Sequence, residues 1–238
     1  MANTWFQFKQ FTVHQQYAAM KVTTDSCIFG SIQPHFQPSE GIRMLDIGAG
    51  TGLLSLMVAQ NNPGATIIAV EIDGAAAAEA AVNIAASPFS RNIKLVERNI
   101  LNFTPEEKYH HIFCNPPFYE KQLLSPNKGK NVAHHADDLT MAKLIPLIKK
   151  WLLPAGTASL LIPFYRENEG LELINAQNLH PLSIIRVKQT PAHNPFRSIL
   201  MFSQKKQECS KNEITIRDME NQYTPDFICM LKPFYMNL

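Results

Sequence analysis

Between Arg43 and Gln177, short apolar runs rich in β-branched residues alternate with longer helical stretches. No other feature constrains the fold of this chain as tightly. The pattern predicts strands at 43–47, 66–70, 93–97, 111–114 and 157–162. Helices are predicted at 53–60, 75–86, 139–153 and 167–177, with Pro146 expected to kink the third of them. Strands that alternate with helices form a parallel sheet covered on both faces. The expected fold is therefore α/β and Rossmann-like, with a mostly parallel sheet that two runs nearer the C-terminus bring to seven strands, one of them an antiparallel edge strand.

The two ends of the chain read differently. Phe6, Phe8, Phe11 and Val13 are spaced like the arms of a hairpin, and Thr24 or Asp25 is expected to N-cap a short helix through Ile28 and Phe29. Near the C-terminus, runs at 181–188 and 198–203 have no helix between them, so they are expected to pair antiparallel at one edge of the sheet. A further strand at 213–217 and a helix at 226–231 follow. The 238 residues suit one domain with a substantial core. We divide it into an N-terminal extension (1–41), a core (42–204) and a C-terminal tail packed on that core (205–238).

The first core strand runs into Asp46-Ile-Gly-Ala-Gly-Thr-Gly52. In a parallel sheet, ligands bind beyond the carboxyl ends of the strands. Gly48 and Gly50 permit positive φ, and a ligand there meets bare backbone because no Cβ intervenes. The dinucleotide fingerprint G-x-G-x-x-G fails here, since its third glycine falls on Leu53. Glu71 ends the second core strand, where its carboxylate is placed to accept the hydroxyls of a ribose. Asn99 follows the third strand, where an amide can both accept from and donate to an adenine. The alanine-rich helix is read as a good helix former and nothing more.

Asn115-Pro-Pro-Phe118 follows the fourth core strand, expected beside the first, and so faces the glycine turn. Pro116 and Pro117 fix φ and restrict the residue before each of them. The Asn115 side-chain oxygen and the Pro116 carbonyl then become a pre-organised pair of acceptors for both protons of a planar NH2. Phe118 is placed to stack on the flat group that carries the nitrogen; such stacking is worth roughly 1–3 kcal/mol per base. Together the two turns read as methyl transfer from S-adenosyl-L-methionine to a planar amine.

Composition narrows the setting. No apolar run approaches the roughly 20 residues of a membrane span, and residues 1–11 carry no signal-peptide pattern. Cys27, Cys114, Cys209 and Cys229 have no metal or redox spacing. A cytoplasmic protein with reduced thiols, no membrane association and no metal is expected. The net charge is only +2, but it is unevenly spread. Six lysines against two acids lie between Lys121 and Lys150, and seven basic residues against two acids between Arg186 and Arg217. An anionic partner is expected at those segments.

These motifs resemble class I S-adenosylmethionine-dependent methyltransferases of the N6-adenine and N5-glutamine type. Phe8-Lys-Gln-Phe11, Met20-Lys-Val-Thr-Thr-Asp25, Arg197-Ser-Ile-Leu-Met-Phe202 and the aromatic end at Phe234-Tyr235 narrow the likeness. With them the chain resembles, over essentially its whole length, the bacterial tRNA-Val adenine-N6 methyltransferases, which act beside the anticodon. The resemblance implies cofactor contacts from Lys21, Thr24, Asp25, Asp46, Gly48, Gly50, Glu71, Asn99 and Asn115. It implies an adenine held by residues Asn115 to Phe118, and tRNA contacts from Phe118, Tyr119, Lys121, Lys128, Lys130, His134, His135 and Arg197. The family usually carries Asp where this chain has Asn99, and often Arg-His where it has His134-His135. His134 offers positive charge only when protonated.

The long polar stretch 119–138 is expected to be a substrate loop. The acceptor turn is shared with guanine-N2 methyltransferases of ribosomal RNA and with release-factor glutamine-N5 methyltransferases. A methyltransferase fold used only for binding is the non-enzymatic alternative.

Overall fold

The computed structural model describes residues 3–17, 20–37, 41–116 and 139–238. A two-stranded antiparallel hairpin, β1 (Trp5–Gln7) and β2 (Thr12–His14), precedes helix α1 (Thr24–Ser31). The core then runs β3 (Arg43–Ile47), α2 (Leu53–Asn61), β4 (Thr66–Glu71), α3 (Gly74–Ala85), β5 (Ile93–Glu97) and β6 (Tyr109–Cys114). It continues through α4 (Met141–Trp151), β7 (Leu152–Pro163) and α5 (Glu167–Ala176). The tail holds β8 (His180–Lys188), β9 (Arg197–Ser203), β10 (Ser210–Thr215) and α6 (Pro225–Leu231).

Eight strands form one sheet in the order β10-β8-β9-β7-β6-β3-β4-β5. All neighbours are parallel except β9, which is antiparallel to both β7 and β8. Two expectations are corrected here. The sheet has eight strands, not seven, and its antiparallel strand is interior, because β8 flanks it and β10 closes the edge parallel to β8. The sequence shows the 181–188 and 198–203 pairing but not the passage of the chain from β9 past β8, which sets 210–215 on the far side of β8, paired to it. That pairing is non-local and leaves no mark in the local pattern.

Side chains alternate across the sheet as the pleat requires. From β3, Met44 joins the core against α1, α2 and α3, while Leu45 and Ile47 join the core against α4 and α5. On β4, Ala69 and Val70 divide the same way, as do Phe113 and Cys114 on β6. Each fully buried Leu, Ile or Phe contributes about 1.5–3 kcal/mol, so both faces are firmly held. By this parity Asp46, Glu71 and Asn115 project from the carboxyl ends of β3, β4 and β6 toward the α1–α3 side.

Helix α1 is capped by Thr23, not by Thr24 or Asp25 as expected. Thr23 accepts from the Ser26 N–H, and the Ser26 hydroxyl accepts from the Thr23 N–H at 3.1 Å. Asp25 instead sits in the first turn, where a negative charge favours the helix dipole. Helix α4 runs unbroken through Pro146, with Thr140 as its N-cap. Strand β7 begins at Leu152 directly after α4, earlier than the run at 157–162 suggests.

Candidate active site

The glycine turn between β3 and α2 is an open cradle. Gly48 has φ +75° and Gly50 φ +54°, and a Cβ built on either would meet nothing within 4 Å. Gly52 has φ +82° but packs on α3, with Ala80 and Ile84 at 3.6 Å from its would-be Cβ. The small alanines of α3 therefore let that helix lie close against the turn. No side chain caps the N-terminus of α2, so its first N–H groups remain available to a ligand.

Beneath the turn lies Asp46, fully buried. Its Oδ2 accepts from Ser55 Oγ at 2.7 Å, while its Oδ1 has no hydrogen-bond partner. Burial pushes its carboxyl up to about 7; the Ser55 hydrogen bond opposes this and the neighbouring Glu71 adds to it. An orphaned acceptor beside an open backbone cradle suits a ligand that brings its own donor. Burial also raises the Cys114 thiol well above its ordinary value, so this cysteine stays a neutral core residue.

Glu71 is 8 % exposed at the end of β4. Its Oε2 accepts from the Gly50 N–H at 2.7 Å, and its Oε1 from the N–H groups of Ile72 (2.8 Å) and Asp73 (2.9 Å). Three of roughly four lone-pair positions are thus filled by backbone. Asn99 uses its Oδ1 to cap the short 3-10 turn Ile100–Asn102, accepting from the Leu101 N–H at 2.9 Å. Its amide NH2 faces no such demand and can donate to a ring nitrogen.

Asn115 stands at the end of β6, directly beside β3, as expected from the strand order. Its Nδ2 points toward the sulfur of Met20, 3.9 Å away. Pro116 is buried. Pro117, Phe118, Tyr119, Lys121, Lys128, Lys130, His134 and His135 lie outside the described residues.

The remaining expected residues divide. Asp25 and Arg197 meet in an ion pair at 2.7 Å, which ties α1 to the start of β9. Lys21 is 3.5 Å from the Asn3 carbonyl, and Thr24 is exposed at the start of α1. Three of the seven basic residues between Arg186 and Arg217 are held in ion pairs. Arg186 pairs with Glu167, Lys188 with Glu213 and Arg197 with Asp25, while Lys205 and Lys206 follow β9 at the sheet end remote from the glycine turn.

Sequence reasoning missed Glu79 and Asn83. Asn83 Oδ1 accepts from the His14 N–H at 2.9 Å, and its Nδ2 donates to the carbonyls of His14 and Thr51, both at 2.9 Å. One side chain on α3 thus joins the N-terminal extension to the glycine turn. Glu79 accepts from the Gln16 and Tyr17 N–H groups. A signal was present: Glu79 and Asn83 are the only polar side chains on α3 and stand four apart, hence on one face.

Comparison with known proteins agrees with this geometry. Residues 30–141 match a family model described as the methyltransferase small domain. A tRNA1(Val) (adenine(37)-N6)-methyltransferase of Flavobacterium psychrophilum is 37 % identical over 98 % of this chain and 100 % of its own length. Its counterpart in Bacteroides fragilis (strain ATCC 25285) is 34 % identical, with all of both chains covered. The chain belongs to this family. Solved structures share the fold at low identity. A predicted O-methyltransferase of Agrobacterium tumefaciens superposes with a TM-score of 0.69 at 16 % identity, over 90 % of this chain and 100 % of the other. A glycopeptide N-methyltransferase solved with S-adenosyl-L-methionine gives 0.55 at 10 % identity, over 76 % and 93 %. Among the described residues no helix is long and apolar enough to cross a membrane, and no group of three His, Cys, Asp or Glu could hold a metal.

Proposed function

We propose that this chain methylates the exocyclic N6 amine of an adenine in tRNA, the adenine beside the anticodon of tRNA-Val, in the cytoplasm. The single observation that carries the reading is the placement of Asn115 at the end of β6, one strand from an open glycine cradle and on the sheet face shared with Glu71. The full-length likeness to enzymes named for this reaction supports it.

The donor is S-adenosyl-L-methionine, which when bound supplies an electrophilic methyl group. Gly48 and Gly50 would offer it open backbone, the unpaired Asp46 Oδ1 would accept a donor from it, and Glu71 would hold its ribose. The Asn115 Oδ1 and the Pro116 carbonyl would accept hydrogen bonds from the two amine N–H groups and so hold the nitrogen lone pair toward the methyl carbon. The S–CH3 bond breaks as the N–CH3 bond forms, the sulfur leaves as a neutral thioether, and the nitrogen then loses one proton to solvent. Positioning of this kind supplies much of the acceleration in such reactions. No strong general base is needed, because the alkylated arylammonium is itself a strong acid. Phe118 stacks on the base, which the loop geometry of an anticodon makes cheap to splay out. Lys21 and Thr24 line the cofactor side, and the 119–138 stretch with Arg197 meets RNA.

The test is incubation of the protein with unmodified bulk tRNA and isotope-labelled cofactor, followed by nucleoside mass spectrometry. Label in N6-methyladenosine is expected. Label confined to another nucleoside, or to no tRNA nucleoside, would overturn the reading.

A further inference from the structure

A side-chain amide has an oxygen end and a nitrogen end of nearly the same shape, and its hydrogen-bond partners decide which way each points. On the reading of Asn115 given above, only the oxygen end serves the reaction. The nitrogen end repels an incoming N–H. Something must therefore hold the Nδ2 end aside before substrate arrives.

We propose that Met20 is that positioning residue. Its sulfur lies 3.9 Å from Asn115 Nδ2. A thioether is an acceptor only, and a weak one. It therefore favours the NH2 end and leaves Oδ1 as the end offered to the site.

Met20 is 44 % exposed at the mouth of the site, yet the described chain on both sides of it is firmly held. The buried Gln15 side chain accepts from the Val22 N–H at 2.7 Å and donates to the Asn3 carbonyl at 3.0 Å. Glu79 receives the Gln16 and Tyr17 N–H groups, and Asn83 holds both the N–H and the carbonyl of His14. These bonds, most of them made by two buried polar side chains of α3, anchor the described chain at residues 14–17 and at Val22, on either side of Met20.

The discriminating comparison is Met20→Leu against Met20→Gln. Packing alone ranks leucine first, because Met-to-Leu exchange is among the best tolerated apolar swaps. Amide orientation ranks glutamine first, because its carbonyl can accept from Asn115 Nδ2 whereas leucine accepts nothing. We expect kcat for tRNA methylation to fall about 3- to 10-fold in Met20→Leu, the factor appropriate to one modest hydrogen bond. Met20→Gln should stay near wild type, and cofactor Kd should be unchanged in both. A Met20→Leu enzyme with wild-type kcat, an equal loss in both variants, or a change in KM alone would overturn the assignment. The inference rests on the proposed role of Asn115, and the two fail differently. A wild-type protein that forms no N6-methyladenosine sinks the function, whereas a methylating wild type with an unaffected Met20→Leu sinks only the role of Met20.

Discussion

Glu71 Oε2 accepts the Gly50 N–H at 2.7 Å, so the carboxylate proposed to bind ribose also closes the glycine turn. The two jobs compete for the same oxygen. Cofactor that engages this oxygen must displace the Gly50 N–H or share it, which couples the turn to occupancy of the site.

Replacing Glu71 by Ala removes a charged acceptor from the Gly50, Ile72 and Asp73 N–H groups and from the ribose. Hydrogen bonds to charged groups are worth about 1.5–3 kcal/mol. Calorimetry should therefore show cofactor Kd raised about 10- to 100-fold. Unaltered affinity would remove Glu71 from the cofactor site.

Asp46 gives a pH signature. Its carboxyl is raised from an ordinary 3.8 to about 7, chiefly by burial. The folded state thus holds this proton more tightly than the unfolded chain. The contribution to stability is complete below about pH 4 and is lost as pH rises through about 7. Asp46→Asn cannot ionise, so its thermal midpoint should exceed that of wild type at pH 8, and the gain should shrink or vanish at pH 5. Its cofactor affinity should fall, since the orphaned Oδ1 becomes part of a neutral amide. A midpoint difference that did not change with pH would contradict the buried-acid reading.

Asn83→Ala leaves the N–H and carbonyl of His14 and the Thr51 carbonyl without their partner. Each buried polar group left unsatisfied costs about 1–3 kcal/mol. The Thr51 contact is buried and the two to His14 are part-buried, so urea denaturation should show a loss of about 1–3 kcal/mol. The exposed neighbour Val82, changed to Ala, should stay within about 0.5 kcal/mol of wild type. Equal effects at the two positions would show that Asn83 does not link the extension to the turn.

Much of this architecture was legible in the sequence because its signals are local. The buried strands announce themselves as β-branched runs, and Gly48 and Gly50 occupy the left-handed backbone that their type permits. Asn115 falls beside β3, as the usual strand order of doubly wound sheets implies. What stayed hidden depends on distant partners. Nothing near Arg197 in sequence announces its partner, Asp25, which lies 172 residues away. His111 gives another case: it is fully buried, bonded to Thr157 Oγ1 at 2.7 Å and Gln33 Oε1 at 2.8 Å, and burial pushes its imidazole down to about 3. Such networks are set by tertiary packing, and no period or spacing in the chain reports them. The strand near 213–217 was expected, but its place in the sheet beside β8 stayed hidden for the same reason.

The most direct test of the central claim is Asn115→Ala, assayed with isotope-labelled S-adenosyl-L-methionine and unmodified tRNA, with calorimetry of the cofactor alone beside it. Label in N6-methyladenosine should disappear while cofactor Kd stays within about twofold of wild type, a difference under roughly 0.5 kcal/mol. Methylation that persists in Asn115→Ala, or a loss of cofactor affinity as large as the loss of rate, would contradict the role of Asn115 as acceptor of the amine protons.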